Sequence, residues 1–173
     1  AGAYHCDFII SDPAALNSPR GVGLKLKVLR DRIHLTPEGP TINDAYEDHF
    51  LIGMAGDLPG WYSDEELGLV KEHFNIVTPE NCMKPGPIHP SENTWRFERP
   101  DALVQWCTDN GLAIHGHTLV WHAQTNDWFF RDGDKAAVTQ RMKDHIHTLV
   151  GRYKGKIQSW DVVNEAINDR GNA

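Results

Sequence analysis

Three short apolar runs of the sequence, at residues 74–78, 112–117 and 157–163, are each followed by carboxylate, amide, cationic or aromatic side chains. Sugar hydroxyls need several hydrogen-bond partners in fixed places, and the apolar face of a pyranose ring stacks on aromatic planes. This set of side chains therefore suits a carbohydrate ligand. The candidate site residues are Glu80, Asn81, Lys84, His117, Trp121, Gln124, Asn164 and Glu165.

The apolar runs have the length and composition of buried strands, and a fourth run lies at residues 50–55. Helical patterns separate them. A capping box at Ser63–Glu66 opens a helix to about His73, a second helix starts with Pro100 as its first residue and ends at Gly111, and an apolar stripe marks a third over residues 138–153. Strands that alternate with helices predict an α/β fold with a parallel sheet.

The carboxyl ends of parallel strands gather functional side chains, because the loops that follow neighbouring strands converge there. The predicted strand order brings the candidate residues to one such edge. No Gly-rich phosphate loop follows any strand, so the sequence favours a barrel over a nucleotide-binding sheet.

Composition excludes several classes of function. The 173 residues carry a net charge of −7, which argues against nucleic acid as a partner, and no apolar run approaches the roughly 18 residues of a membrane span. Three cysteines are too scattered for a disulfide framework. Of the six tryptophans, Trp95, Trp106 and Trp160 are expected in the core, and Trp121 and Trp128 near a site.

Residues 1–41 form an N-terminal segment of uncertain structure. Only Gly23–Leu35 shows a pattern, because the alternation of Leu24, Leu26 and Val28 favours a strand, with a short helix as the alternative.

The runs TPENCMK (78–84), GHTLVWHAQ (116–124) and WDVVNEA (160–166), with RYKGKIQSW leading into the last, closely resemble glycoside hydrolase family 10, the endo-β-1,4-xylanases. The resemblance covers about residues 42–170. It implies a (β/α)8 barrel of which residues 42–173 are the first half, strands one to four. It also implies a retaining hydrolase of internal xylan bonds, secreted, periplasmic or at the cell surface, that needs no cofactor or metal.

The resemblance implies a role for each candidate residue. Glu165 is similar to the general acid and base, and Asn164 to the residue that holds the 2-hydroxyl at the cleavage point. His117 and Trp121 would line the same subsite, with His122 in support. The next xylose on the non-reducing side would be held by Glu80, Asn81, Lys84 and Gln124.

Two positions depart from the family pattern, which commonly has Arg at His115 and often Trp at Pro85. A larger departure is that no TELD-like run supplies the second Glu, the nucleophile. Four βα units also cannot close a barrel, since closure needs about eight strands. We therefore expect a further segment or a separate chain to supply the remaining strands and the nucleophile.

Two alternatives remain open at this stage. The chain by itself would be a non-catalytic xylan-binding fragment that binds xylo-oligosaccharides weakly and turns none over. Less favoured is a zinc-dependent barrel hydrolase, because His115 and His117 alternate along a strand and so point to one face, where His122 could join them.

Overall fold

The computed structural model describes residues 3–10, 20–27 and 40–167. The chain divides into two compact units, Ala1–Glu38 and Gly39–Ala173. In the first unit, strands β1 (Ala3–Ile10) and β2 (Arg20–Lys27) pair antiparallel. The strand predicted from Gly23 is confirmed as far as Lys27, and residues 28–35 lie outside the described residues. Strand β1 was not predicted from the sequence.

Four short strands of the second unit form a parallel sheet, and their order in the sheet is their order along the chain. Each lies inside one of the four predicted runs, so the predicted strands and their parallel arrangement are confirmed, although the observed strands are shorter. The strands are β3 (Gly53–Ala55), β4 (Ile76–Thr78), β5 (Ala113–Gly116) and β7 (Ser159–Trp160).

Helices connect these strands, as the sequence predicts. Ser63 caps the helix before β4 through a reciprocal capping box with Glu66. The helix before β5 begins two residues earlier than expected, which places Pro100 third in its first turn, where a backbone N–H has no intrahelical partner. The helices are α1 (Ile42–Tyr46), α2 (Asp64–His73), α3 (Pro85–Ile88), α4 (Glu98–Asp109) and α5 (Lys135–Arg152).

A second pair of very short strands follows the sheet strands β5 and β7 in the chain. Strand β6 (Val120–Trp121) pairs in parallel with β8 (Val163–Asn164), so that Trp121 lies opposite Asn164. This pair was not predicted as a separate element. It brings the two segments that carry Trp121 and Glu165 side by side.

The core lies between the sheet and the helices. Val77 of β4 and Ile114 of β5 are fully buried against Leu103 of α4 and Leu149 of α5. Trp95, Trp106 and Trp160 pack against this core, as expected from the sequence.

Apolar side chains are exposed beside the first and last strands of the sheet. Phe50 and Leu51 precede β3 and are each 56% exposed, and Val162 and Val163 follow β7 at 58% and 56%. Within the described strands, β3 and β7 each pair with one neighbour of the sheet. Both edges of the sheet therefore have free backbone groups and apolar surface around them.

Among the described residues, no helix is both long enough and apolar enough to cross a membrane.

Candidate active site

The side chain of Glu165 lies beside Trp121 at the carboxyl ends of β7 and β5. The indole Nε1 of Trp121 donates a hydrogen bond to Glu165 Oε2 at 2.8 Å. The imidazole Nε2 of His122 lies 3.9 Å from the same oxygen. More than half of the surface of the Glu165 side chain is exposed, so a ligand can reach the carboxylate. Trp121 thus orients one oxygen of the Glu165 carboxylate, and the carboxylate stays accessible to a ligand.

A buried cation adjoins this pair. Lys84 is 9% exposed, and its Nζ lies 5.0 Å from the centre of the Trp121 ring. The same Nζ donates to Asn81 Oδ1 at 3.0 Å. A cation over an indole is stabilised by the electrons of the ring, more strongly where water is excluded. The contacts form one chain from Asn81 through Lys84 and Trp121 to Glu165.

Asp161 holds the two histidines of the third predicted strand end. His117 Nδ1 lies 2.9 Å from Asp161 Oδ2, and His115 Nε2 lies 3.1 Å from Asp161 Oδ1. Burial raises the pKa of the Asp161 carboxyl, but the hydrogen bonds from both imidazoles outweigh burial, so its pKa lies below the usual value. His115, where the family pattern has Arg, therefore still pairs with an acidic partner.

The two imidazoles point to the same face of β5, as their spacing predicts, but they meet a carboxylate rather than a third imidazole. Within the part of the chain that the structure describes, no three His, Cys, Asp or Glu side chains are arranged to hold a metal ion. The zinc alternative therefore has no ligand set among these residues.

Backbone geometry distinguishes two of the candidates. Gln124 has φ 49° and Glu165 has φ 50°, both in the left-handed region that residues with a Cβ rarely adopt. Gln124 is held there in part because its carbonyl accepts a 2.6 Å hydrogen bond from Gly86 N, and a Cβ at Gly86 would lie 2.6 Å from that oxygen. Such conformations concentrate at functional sites, where the surrounding structure stabilises them.

The remaining candidates lie at the same strand ends with different surroundings. Glu80 follows β4 and is exposed. Asn164 pairs through its strand with Trp121. Trp128, in contrast, donates from Nε1 to the His89 carbonyl at 3.2 Å and packs on the rings of His89 and Phe129. Its described contacts thus belong to an internal aromatic cluster.

Two acidic residues that organise the candidate site, Asp161 and Asp57, were not predicted from the sequence. Asp57 Oδ1 accepts from the backbone N–H groups of Asn81 and Cys82, both at 3.0 Å. Both aspartates stand just after a strand, in GMAGD and SWD, which is the signal that could have found them.

Comparison with known proteins assigns the family. The model of glycosyl hydrolase family 10 matches residues 41–173. The chain belongs to glycosyl hydrolase family 10. The described parallel strands accordingly match part of the (β/α)8 barrels of the solved family structures.

Individual family 10 relatives show how much of them this chain matches. It is 44% identical over 138 residues to an endo-1,4-beta-xylanase/feruloyl esterase of Xylanibacter ruminicola, covering 77% of this chain and 19% of that one. A crystal structure of a Paenibacillus barcinonensis xylanase matches with a TM-score of 0.72 and 40% identity, over 77% of this chain and 41% of that one. The chain thus spans less than half the length of the curated relatives it matches.

A third relative bears on where family 10 proteins act. It is an intracellular xylanase of Thermoanaerobacterium saccharolyticum, solved as the complex of a mutant with xylotetraose. It matches with a TM-score of 0.73 and 34% identity, over 78% of this chain and 46% of that one. Since a member is intracellular, family membership does not establish secretion, which stays a prediction.

Proposed function

We propose that this chain supplies the acid and base group and the glycone-side sugar contacts of a retaining endo-β-1,4-xylanase. The observation that carries the proposal is the Glu165 carboxylate, exposed to ligand and oriented by Trp121 Nε1 at 2.8 Å. Family membership and the xylanase activities named for its relatives support xylan as the substrate.

In this mechanism Glu165 protonates the glycosidic oxygen as the bond breaks, and later takes a proton from the attacking water. A second carboxylate, about 5 to 5.5 Å away in retaining enzymes, forms the glycosyl intermediate. His117, Trp121 and Asn164 contact the sugar at the cleavage point, and Glu80, Asn81, Lys84 and Gln124 hold the next xylose.

We propose that the second carboxylate and the other strands come from a further segment or a separate chain. The exposed apolar residues beside β3 and β7 support this, because a closed barrel would cover both edges.

A chimera tests the catalytic proposal. Residues 41–173 replace the equivalent part of the Paenibacillus barcinonensis xylanase, and reducing ends released from xylan are measured. We expect an active chimera and a loss of about 10² to 10⁴ in rate for Glu165→Gln, the usual contribution of a positioned general acid. On an aryl xyloside whose leaving group has a low pKa, the loss in kcat/KM should be much smaller, because kcat/KM reports the first step and such a group departs without protonation. The loss in kcat should remain, since Glu165 also takes the proton from the water in the second step.

Glu72→Gln is the matched control, since Glu72 is an exposed glutamate on α2. If the Glu165→Gln chimera hydrolysed xylan at the parent rate, the assignment of Glu165 would be wrong. If the chimera folded and bound xylo-oligosaccharides without cleaving xylan, the non-catalytic binding function would be favoured instead.

A further inference from the structure

Trp61 lies in the loop between β3 and α2 and exposes 81% of its surface. An exposed indole offers a flat apolar face on which the apolar face of a sugar ring can stack. The loop follows the carboxyl end of β3, the neighbour of the strand that precedes Glu80 and Asn81. The position of Trp61 in the fold is therefore next to the proposed sugar-binding edge.

The indole is supported from behind rather than left as a free surface side chain. The guanidinium carbon of Arg99 lies 5.9 Å from the centre of the Trp61 ring. Arg99 Nη2 in turn donates to Asp57 Oδ2 at 3.1 Å. This arrangement leaves 81% of the Trp61 surface available for stacking.

Asp57 connects this support to the loop that carries the sugar-binding candidates. Its side chain is 9% exposed, and the oxygen that does not face Arg99 accepts the backbone N–H groups of Asn81 and Cys82. Burial raises the pKa of the Asp57 carboxyl, but these hydrogen bonds and the Arg99 charge outweigh it and hold the pKa below its usual value. The ionised Asp57 carboxylate thus connects the loop that follows β3 with the loop that carries Asn81.

Tyr62, the next residue after Trp61, gives a second link. Burial and the negative charge of Glu80 both raise the pKa of the Tyr62 hydroxyl. The hydroxyl packs so closely on the backbone that a Cβ at Gly56 would lie 2.3 Å from its oxygen. The loop around Trp61 is therefore fixed against the strand end at two points.

We infer that Trp61, supported by Arg99, is a stacking platform for a xylose ring farther along the non-reducing side than the ring held by Glu80 and Asn81. The inference rests on the proposed function and specifies its substrate class as long β-1,4-linked chains rather than short oligosaccharides. A flat, exposed indole beside a polar sugar clamp fits the apolar face of the next pyranose ring in such a chain.

Titration calorimetry of the full chain with xylobiose and with xylohexaose tests the inference. Trp61→Ala should leave the xylobiose affinity unchanged and weaken xylohexaose binding about three- to ten-fold, the contribution of one aromatic contact. Trp61→Phe should recover part of that loss. Glu80→Ala should weaken both ligands, because every ligand occupies the nearer subsite.

Phe50→Ala is the matched control, since Phe50 is an exposed aromatic at the opposite, amino end of β3. Equal binding of xylohexaose by the parent chain and Trp61→Ala, with xylobiose still bound, would overturn the platform and leave the proposed function standing. Failure of the parent chain to bind either ligand would overturn the proposed function and the platform with it. Thermal unfolding of each variant checks that the fold is unchanged.

Discussion

Lys84 is held at the strand ends by two contacts, which is why we propose a binding role for it. Only 9% of the surface of Lys84 is exposed, and burying an ammonium group costs free energy unless polar partners replace the water. Its described partners are the Asn81 side-chain oxygen and the Trp121 ring. A ligand hydroxyl would complete this coordination, because an ammonium group has three protons to donate.

Lys84→Met therefore should weaken xylotriose binding by the full chain about ten- to hundred-fold, while the apolar stem still fills its space. Hydrogen bonds from charged donors contribute about 1.5–3 kcal/mol, which corresponds to that range. Calorimetry measures the affinity. Lys143→Met on α5, an exposed lysine, is the matched control. Unchanged affinity in Lys84→Met would contradict the role given to Lys84.

Most candidate residues could be read from the sequence, since their types and spacing at strand ends are local patterns. The links between them could not. Asp161 bonds to His117 44 positions away in the sequence, and Asp57 bonds to Asn81 24 positions away. These pairings depend on which strands are neighbours and in which register, and register follows from the packing of the whole sheet.

The strands β5 and β7 approach each other closely at Gly116. A Cβ at this position would lie 2.2 Å from Trp160 Cε3. The Gly116 carbonyl accepts a hydrogen bond from Asp161 N at 2.9 Å. Trp160 is the last residue of β7 and leads directly into the segment that ends in Glu165. The absence of a side chain at Gly116 therefore sets the position of that segment.

Gly116→Ala should lower the free energy of unfolding by about 1–3 kcal/mol, the typical cost of overpacking. Urea denaturation measures the change. Gly151→Ala is the control, because no atom lies within 4 Å of a Cβ built there and α5 should gain up to about 1 kcal/mol from the better helix former. Adding Trp160→Leu to Gly116→Ala should recover part of the loss. If Gly116→Ala left the free energy of unfolding unchanged, the Trp160 indole would be able to move aside without cost.

Over the molecule as a whole, stability in mild acid depends on two buried histidines that join the α3 region to α5. His89 Nδ1 lies 3.1 Å from His145 Nδ1, and His89 Nε2 lies 3.3 Å from the Glu92 carbonyl. Because a carbonyl oxygen only accepts hydrogen bonds, His89 Nε2 donates to Glu92, and His145 Nδ1 therefore donates to His89 Nδ1. Burial lowers the pKa of both imidazoles, that of His145 to about 4. Both are therefore neutral in the folded chain.

An unfolded histidine titrates near 6.5, so the unfolded chain takes up protons that the folded chain excludes as the pH falls from about 6.5 to about 4. His145 alone should cost on the order of 3 kcal/mol of stability between pH 7 and pH 4. Thermal unfolding across this pH range measures how steeply stability falls as the pH is lowered. His145→Asn should be less stable than the parent at pH 7, and its stability should fall less steeply as the pH is lowered. His147→Asn, at an exposed position, should keep the parent dependence of stability on pH.

Three aspartates whose pKa values are lowered contribute little to this pH dependence. Asp57, Asp101 and Asp161 lose the stability they contribute as the pH falls from about the unfolded value of 3.8 toward their lower folded pKa values, which is mostly below pH 4. A parent chain with constant stability between pH 7 and pH 4 would contradict the burial of neutral histidines.

The sequence by itself determined the α/β class, the four parallel strands, the three long helices with the capping box at Ser63, and the family. These follow from periodicity, caps and strand-end motifs, which are set by residues near one another in the chain. Only the tertiary structure decided the pairing of β6 with β8, the Trp121–Glu165 bond, the clamps of Asp57 and Asp161, and the support of Trp61 by Arg99. Each joins segments far apart in the sequence, and such contacts exist only once the sheet and its loops have taken their positions in space.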